Sequence, residues 1–379
     1  GGTNTDIVML DGRMVNVEID LNGGKDKLIL DDLSNTISVY DIETIKGGTG
    51  SDVVYLETAV AGLTIDLGAG TDSLTLFEDG GTLTVSNIET ILGSNDGRDV
   101  IVLATQATGV TIDLGDGDDK LVLGKFANTL TLSDTETVTG STKTDDITLD
   151  GAMDGGLIDL GSGNDRLVLA DADNSLTVAA IETIVGGTGD DTVFVSGVLT
   201  KATVDLGTGI DMLTLANGAN SLSVSGVETI IGGTAADYVI LGTQPTAGEF
   251  TVDLGTGADT LVLAATGNTV TVSGVESLVG NIGNDVVYVL GAATAPSIDL
   301  GGGTDTLDIS DGGGTLTVFN IENINASGTD ASSVITFGSA ITAGTVSLGY
   351  GNDQVTLGAF VNTVTMSGVE TIVGGRSAD

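Results

Sequence analysis

Short runs of alternating apolar and polar residues recur along the whole chain, and each run ends at a turn rich in Gly, Asn or Asp. Residues 158–160, 166–169 and 175–178 are three consecutive runs of this kind. An alternation with a period of two residues predicts β-strands, and no segment of useful length follows the 3.6-residue period of a helix. The pattern therefore predicts an all-β chain of short strands joined by tight turns.

An acidic residue that follows an aliphatic one marks the period of this pattern, as Asp66 does after Ile65 and Glu182 after Ile181. Asp and Glu alternate along the series, except that Ser347 stands in one Asp position. The step from each Asp to the next Glu is constant, and the step from each Glu to the next Asp is equal to it or slightly longer. The repeat unit is therefore about 46 to 48 residues long, and we divide it into two coils of about 23. The series is Asp20, Glu43, Asp66, Glu89, Asp113, Glu136, Asp159, Glu182, Asp205, Glu228, Asp253, Glu276, Asp299, Glu322, Ser347 and Glu370.

Strands of three to five residues cannot bury an apolar face alone, but stacked coils can share one interior, which is the principle of a solenoid. We predict a right-handed parallel β-solenoid, of the β-helix or β-roll type, with eight repeats of two coils each. It is expected to run as a single continuous domain over residues 1–379. Both ends of the sequence fall at the same position of the repeat, so we expect a segment of a longer chain.

A column of Asn or Gly precedes the third strand of each repeat. These are the residue types that most easily accept a left-handed backbone with positive φ, so we interpret each as a turn residue of that conformation. The column is Asn35, Gly81, Asn128, Asn174, Asn220, Asn268, Gly314 and Asn362.

Gly-rich turns closed by Asp carry the candidate chemistry, and they form two types. In the first type the Asp lies six residues after the Asp (or Ser347) of the series above. These residues are Asp26, Asp72, Asp119, Asp165, Asp211, Asp259, Asp305 and Asp353. In the second type it lies nine residues after the Glu of the series, or ten at Asp99, giving Asp6 by register, Asp52, Asp99, Asp145, Asp191, Asp237, Asp285 and Asp379. Ser333 stands where one second-type Asp is expected.

These turns resemble the calcium-binding RTX repeats, whose nonapeptide is G-G-x-G-x-D-x-U-x with U a large aliphatic residue. Residues 47–55 and 186–194 match the nonapeptide in full, and first-type turns such as 161–167 match from the second Gly onward. The resemblance implies a parallel β-roll whose stacked turns hold Ca²⁺ through Asp carboxylates and glycine carbonyls. It covers the turns of all eight repeats but not the tandem spacing of the family.

Two interpretations of the sixteen Asp residues stay open. They hold Ca²⁺, which takes six to eight oxygen ligands, or each caps its own turn through an Asx-type hydrogen bond without metal. Stacked carboxylates about 4.8 Å apart repel by about 1 kcal/mol in water and by several kcal/mol at a lower dielectric, which favours a cation. Because Ser333 and Ser347 fall in adjacent coils, we expect them to share one weak or missing metal site.

Carboxylates outnumber basic residues 53 to 11, and the formal net charge is −42. Nucleic acid and anionic membrane surfaces are therefore not expected partners, and no apolar stretch approaches the roughly 20 residues that span a membrane. Hydrophobic residues nevertheless make up 40% of the chain, enough to bury a core. The expected partner is calcium.

We do not expect an enzyme. The chain has no His, Cys or Trp, and the carboxylates recur uniformly instead of forming one unique cluster. A parallel β-helix enzyme acting on polysaccharide is the alternative on this side, because that fold does not exclude catalysis.

The expected function is a structural, calcium-binding repeat segment of a secreted bacterial surface protein: an adhesin stalk, a surface-layer (S-layer) subunit or an extracellular filament. Self-association end to end or in a lattice would fit this role, and the resemblance to RTX proteins implies type I secretion. A second alternative is an ice-binding solenoid. Its sequence basis is a hydroxyl pair in each repeat, such as Thr82 and Thr84 or Thr129 and Thr131, which faces outward from one strand.

Overall fold

The computed structural model describes residues 1–243, 249–328 and 330–375, and it divides into two units, Gly1–Gly189 and Asp190–Asp379. Each unit is a parallel β-solenoid, so the predicted all-β solenoid fold is confirmed. No helix in the described ranges is long and apolar enough to cross a membrane. That residues 1–379 form one continuous domain stays a prediction, as does the right-handed winding.

The first unit contains twenty strands. They are β1 Ile7–Met9, β2 Val15–Asp20, β3 Lys27–Ile29, β4 Thr36–Tyr40, β5 Thr44–Lys46, β6 Val53–Leu56, β7 Val60–Asp66, β8 Ser73–Thr75, β9 Gly80–Ser86, β10 Thr90–Leu92, β11 Arg98–Leu103, β12 Thr108–Asp113, β13 Lys120–Val122, β14 Thr129–Ser133, β15 Thr137–Ser141, β16 Asp146–Leu149, β17 Asp154–Gly161, β18 Arg166–Val168, β19 Ser175–Ala179 and β20 Thr183–Gly187.

The described part of the second unit also contains twenty strands. They are β21 Thr192–Val195, β22 Thr200–Gly207, β23 Met212–Thr214, β24 Ser221–Ser225, β25 Thr229–Gly233, β26 Tyr238–Leu241, β27 Thr251–Gly255, β28 Thr260–Val262, β29 Thr269–Ser273, β30 Ser277–Val279, β31 Val286–Val289, β32 Ala293–Asp299, β33 Thr306–Asp308, β34 Gly314–Phe319, β35 Asn323–Asn325, β36 Ser333–Phe337, β37 Thr342–Ser347, β38 Gln354–Thr356, β39 Thr363–Ser367 and β40 Thr371–Val373.

Within each unit the odd-numbered strands pair in parallel to form one sheet, and the even-numbered strands form the other. Leu28 of β3 lies beside Ile45 of β5 in the odd sheet, and Ile37 of β4 lies beside Val54 of β6 in the even sheet. All four side chains are 0–1% exposed. Burial of an aliphatic side chain of this size stabilises a fold by about 1.5–3 kcal/mol. The core is thus built of columns of Leu, Ile and Val, each covering the one before it.

One turn of the solenoid contains one strand of each sheet, and paired residues on successive turns are 17 to 22 positions apart. Lys27 pairs with Thr44, Thr44 with Thr64, and Thr229 with Thr251. Each repeat supplies five strands, as β2–β6 and β7–β11 show, so a repeat makes two and a half turns. The eight predicted repeats stand, and each makes two and a half turns where two coils were predicted. Because five is odd, equivalent strands of successive repeats lie in opposite sheets.

The residues with a left-handed backbone are not the ones predicted from the sequence. None of the Asn residues of the predicted column has a positive φ. A different column does so in all eight repeats, at the tight turn just before the Glu of the strand series. Its members are Asp41, Asn87, Asp134, Ala180, Gly226, Gly274, Asn320 and Gly368. The Asn column was misassigned because Asn is equally suited to a second task, donating and accepting buried side-chain hydrogen bonds.

Stacked turns approach closely at the first Gly of several second-type turns, although the seventh repeat has the buried Ala326 at this position. A Cβ at Gly47, Gly93 or Gly140 would lie 2.1 Å from the carbonyl oxygen of a Leu on the next turn. The oxygen belongs to Leu160 in the case of Gly140. At these three positions glycine permits close backbone contact, and it does not serve a left-handed backbone.

We expect Gly140→Ala to lower the free energy of unfolding by roughly 1–3 kcal/mol, because the added methyl group must push two packed turns apart. Urea denaturation measures the change. Gly151→Ala is the matched control, because a Cβ there meets only the Ser133 Cβ, at 3.9 Å. The control should change the stability by no more than about 0.5 kcal/mol. Equal effects of the two substitutions would contradict the packing argument.

Candidate metal sites

The closing Asp residues lie at the corners of the solenoid, immediately before a strand in nearly every case. Their side chains are 0–2% exposed at all fourteen described positions from Asp26 to Asp353. Asp6 is half-buried, and Asp379 lies outside the described residues. Burial this complete is unusual for an acidic residue that has no basic partner. The side chains therefore belong to the packed structure and not to its solvated surface.

The structure brings fourteen of the sixteen predicted residues together as seven pairs, while Asp353 meets Ser333 and Asp379 lies outside the described residues. In each pair the second-type Asp lies one turn before the first-type Asp at the same corner, and its backbone N–H donates to the Oδ1 of that Asp. The distance is 2.7 Å from Asp52 to Asp72 and from Asp145 to Asp165. The remaining pairs are Asp6 with Asp26, Asp99 with Asp119, Asp191 with Asp211, Asp237 with Asp259, and Asp285 with Asp305.

Each pair belongs to a longer corner column, defined here as the residues that meet one above the other before successive strands of one sheet. Before β2, β4, β6, β8 and β10 the column reads Met14, Asn35, Asp52, Asp72 and Glu89. The backbone N–H of each of the first four donates to the side-chain oxygen of the next, over 2.7–2.9 Å. The order apolar, Asn, Asp, Asp, Glu starts again with Ala107, which donates to Asn128.

The Asn side chain also donates to the carboxylate below it. Asn35 Nδ2 lies 2.9 Å from Asp52 Oδ1, and Asn268 Nδ2 lies 2.7 Å from Asp285 Oδ1. Sequence reasoning missed this role, and it treated the Glu residues only as markers of the period. One signal was present: every Glu of the series follows a first-type Asp at the same short spacing, which is the register of one turn. The acceptors are Glu43, Glu89, Glu136, Glu182, Glu228, Glu276, Glu322 and Glu370.

The second carboxylate oxygen of most of these Asp residues is buried and has no hydrogen-bond partner. A buried carboxylate oxygen without a donor or a cation is costly, because the water that it loses is not replaced. The atoms concerned are Oδ2 of Asp26, Asp52, Asp72, Asp119, Asp145, Asp165, Asp211, Asp237, Asp259, Asp285, Asp305 and Asp353. Adjacent partners such as Asp52 and Asp72 thus leave two open oxygens at one corner.

Burial raises the pKa of several of these carboxyls, among them Asp52 and Asp145. It raises the pKa of Asp72, Asp119 and Asp165 to about 6, and that of Asp211 to about 7. The hydrogen bond from the backbone of the preceding Asp lowers these pKa values, and the negative charges of the acids on neighbouring turns raise them again. The metal-free pairs are therefore poised to accept a proton or a cation near neutral pH.

Glycine leaves an opening beside each first-type carboxylate. A Cβ at Gly70 would lie 2.5 Å from the Gly50 carbonyl oxygen and 3.0 Å from Asp72 Oδ1. A Cβ at Gly163 would lie 2.8 Å from both Asp165 Oδ2 and the Lys143 carbonyl oxygen. Within the described ranges no three acidic or other metal-ligating side chains could hold an ion by themselves. Two carboxylates and the carbonyls of two stacked turns together fit Ca²⁺, which prefers oxygen ligands in flexible geometry.

The expectation that Ser333 and Ser347 share one site is wrong. Ser333 begins β36 at a corner, and its N–H donates to Asp353 Oδ1 over 2.6 Å. Ser347 lies in β37, in the other sheet, where its hydroxyl accepts a bond from Ser367. Two coils that are adjacent in sequence carry the two serines to opposite sheets. The Ser333 corner nevertheless has one carboxylate fewer than the other pairs.

The hydroxyl pairs of the predicted array do not come together on one face. They lie in β4, β9, β14, β19, β24, β29, β34 and β39, which alternate between the two sheets of each unit. A different arrangement occurs in the even sheet of the second unit, where one hydroxyl residue from each of six successive strands forms a single column. It consists of Thr260, Ser277, Ser297, Thr317, Thr336 and Thr356.

Three cavities follow the repeat as well, whereas a fourth, of about 400 Å³, lies beside the longer turn 92–95. A cavity of about 330 Å³ lies over the short turn 87–89, between the longer turns above and below it. Smaller cavities lie over the equivalent turns 134–136 and 274–276. The Glu of the corner column lines each of them. These cavities form because the turn before this Glu is shorter than the turns stacked on either side of it.

No family model matches the chain, and no curated protein sequence matches it. Among solved structures it is similar to the X-ray crystal structure of a hyperactive, Ca²⁺-dependent, β-helical antifreeze protein from an Antarctic bacterium. The identity is 20%, the match covers 95% of this chain and 85% of that one, and the TM-score is 0.15. A score this low carries no argument about function.

We expect the free energy of unfolding of the metal-free protein to fall as the pH rises from about 4 to about 7. The folded-state pKa values of about 6 to 7 lie above the ordinary value of 3.8, so the folded chain binds more protons in this window. Below about pH 4 these groups are protonated in both states and contribute no further change. Denaturation in chelator-treated buffers across this range measures the slope, and Asp211→Asn should reduce it. A stability that rises with pH over this window would contradict the assignment.

Proposed function

We propose that the chain is a structural segment of a secreted or cell-surface bacterial protein whose turns are held together by Ca²⁺ bound at the paired Asp residues. The observation that carries the proposal is the pair of buried carboxylates on adjacent turns, each with an oxygen that lacks a partner, as at Asp52 and Asp72. The same geometry recurs at Asp237 with Asp259 and at Asp285 with Asp305.

Electrostatics supports a cation at these corners. Seven Lys and four Arg face 53 carboxylates, and the only ion pair among the described residues joins Arg166 to Asp146, at the half-exposed surface. A surface pair of this kind contributes little to stability. Basic side chains therefore do not neutralise the buried pairs, and at neutral pH a divalent cation would remove the repulsion most effectively.

At the corner of Asp52 and Asp72, these two carboxylates and the Gly50 carbonyl group would hold the ion. Ca²⁺ would supply the positive charge that the two open oxygens lack. The Asn35 amide and the backbone N–H groups hold the other carboxylate oxygens in place, so the pair is preorganised. Calcium binding and folding would then be coupled, since the pair exists only when the two turns are stacked.

The structural role is supported by uniformity. The Asp and Glu of the corner column recur along both units, and three of the cavities recur with them. An adhesin stalk, an S-layer subunit and an extracellular filament all need such a repetitive element, and self-association end to end or in a lattice would suit the last two. Export by type I secretion and folding in external calcium extend the same proposal, as does the absence of enzyme activity.

We expect Ca²⁺, and not Mg²⁺, to raise the free energy of unfolding of chelator-treated protein. The gain is about 2.7 kcal/mol for each independent site at a free calcium concentration of 100 times its Kd. Calorimetry should give about one ion per Asp pair instead of one per Asp. Asp211→Asn should remove about one ion, because Asp211 Oδ2 is one of the open oxygens.

Asp205→Asn is the matched control, since it makes the same change of charge on the exposed face of the neighbouring strand β22. It should leave the number of bound ions unchanged. Absence of calcium binding to the wild-type chain, or equal losses in both variants, would sink the proposal.

Ice binding is a second candidate, and the hydroxyl column from Thr260 to Thr356 is the observation that favours it. Its members are spaced by the distance between paired strands, about 4.8 Å. A regular row of Thr and Ser hydroxyls on a sheet could order water along its length. The column is one residue wide, which makes it narrower than the predicted pairs within single strands.

If the column binds ice, the purified protein in calcium should show thermal hysteresis, and Thr317→Lys should abolish it by breaking the row. Thr214→Lys is the control, because Thr214 lies in the odd sheet between Phe194 and Ile231 and belongs to no hydroxyl column. The readout is the gap between the melting and freezing points of a single ice crystal. No gap in the wild-type protein would exclude this function.

A further inference from the structure

The corner at Asp99 is closed differently from the others. Asp99 Oδ1 accepts a bond from the Gly81 N–H over 2.9 Å, and its Oδ2 accepts one from the Ser94 N–H over 2.8 Å. Both carboxylate oxygens therefore have protein donors. At Asp52, by contrast, the Asn35 backbone and amide both donate to Oδ1, and Oδ2 has no donor.

The hydroxyl group of Ser94 holds its backbone N–H in position to donate to Asp99. Its Oγ donates to the Gly97 carbonyl oxygen over 3.0 Å and accepts the Gly97 N–H over 3.1 Å, within a turn that is one residue longer than its equivalents. Ser94 is 2% exposed and Asp99 is fully buried. The turn thus wraps the carboxylate with its own backbone. Ser141 stands at the same position of the next second-type turn, but its hydroxyl has no partner.

Backbone pairing replaces the Asn at this corner. β9 starts at Gly80 and β11 at Arg98, so Gly80 pairs with Arg98 and Gly81 with Asp99 before the usual ladder begins. A Cβ at Gly81, which stands in the Asn column, would lie 2.8 Å from Val60 Cγ2 and 3.1 Å from the Val60 carbonyl oxygen, so an Asn could not take its place without a shift. The glycines therefore allow two extra strand pairs where other repeats use a side-chain amide.

The seventh repeat combines the same features. Gly314 stands in the Asn column and pairs with Ser333, so that β34 and β36 also start at the corner. Ser333 offers a hydroxyl where the other repeats offer a carboxylate. Asp52, Asp145, Asp237 and Asp285, whose corners contain an Asn, each keep an open Oδ2, whereas Asp99 and Ser333, whose corners contain a glycine, offer no open carboxylate oxygen.

We infer that Gly81 and Ser94, and in the seventh repeat Gly314 and Ser333, make their corners independent of calcium, whereas the corners with Asn depend on the bound ion. The inference rests on the proposed calcium role and states which Asp pairs need the bound ion. At these corners only the first-type residue, Asp119 or Asp353, keeps an open oxygen, so no pair of open oxygens faces a cation, and the extra strand pairs hold the corner without one. The metal-free chain then keeps local structure at β9 with β11 and at β34 with β36.

Hydrogen–deuterium exchange of the full chain, resolved by peptide, tests this in calcium and in chelator, with calorimetry on the same samples. Without calcium, exchange in β6 and β16 should rise by roughly tenfold or more, because their corners lose the ion. Exchange in β11 and β36 should change by less than about twofold. A uniform rise in all four strands, or no rise in any of them, would overturn the inference while calcium binding stood. If calorimetry detects no calcium, the proposed function itself fails, and this inference falls with it.

Two matched variants test the part played by Ser94. Ser94→Ala removes the two hydroxyl bonds to Gly97, and exchange in β11 should then rise in chelator as it does in β6. Ser141→Ala removes a hydroxyl that has no partner, so exchange in β16 should match the wild type in both buffers. Unchanged exchange in β11 of Ser94→Ala would overturn the role assigned to that side chain.

Discussion

The hydrogen bond from a backbone N–H at one corner to a side-chain oxygen on the next turn is the interaction on which the rest of this fold depends. Parallel strands satisfy their own N–H groups within the sheet, but the chain must leave the sheet at each corner. Asp52 N–H meets Asp72 Oδ1, and Asp72 N–H meets Glu89 Oε2, at 2.7–2.8 Å. Carboxylates are strong acceptors for such donors, and their other oxygen is then trapped inside. The acidity of the interior is therefore a consequence of how the corners are closed.

The odd number of strands per repeat limits how many carboxylates follow one another at a corner. Because equivalent strands alternate between sheets, each corner receives the run Asp, Asp, Glu only once in five turns. An apolar residue such as Ala107 then follows, and Asn128 begins the next run. Unit charges one turn apart repel by about 1 kcal/mol in water and by about 3–4 kcal/mol at an effective dielectric near 20. An uninterrupted ladder of carboxylates would be far harder to neutralise than pairs separated in this way.

The same fold closes its corners in two ways. Where Asn35 or Asn268 stands in the column, side chains make the link and leave open oxygens beside glycine turns. Where Gly81 or Gly314 stands there, the strands extend and the backbone makes the link. A glycine in this column thus accompanies the exchange of a side-chain contact for a ladder of main-chain bonds. A repetitive sequence can in this way contain corners of different stability without any change of architecture.

The sequence by itself determined the all-β solenoid, the eight repeats and the candidate Asp positions, because alternation, glycine turns and a fixed period are local properties that stacking merely repeats. It did not determine the number of strands per turn, since the same period fits two long coils as well as two and a half shorter ones. Only the register, with Lys27 beside Thr44 and Thr44 beside Thr64, decided that. Only the tertiary structure could show that Asp52 meets Asp72 and that Glu89 completes the column. It also showed that Asn35 is a buried hydrogen-bond donor to a carboxylate and not a turn residue with positive φ. The physical reason is that these contacts join residues on different turns, whose meeting depends on the length of every loop between them.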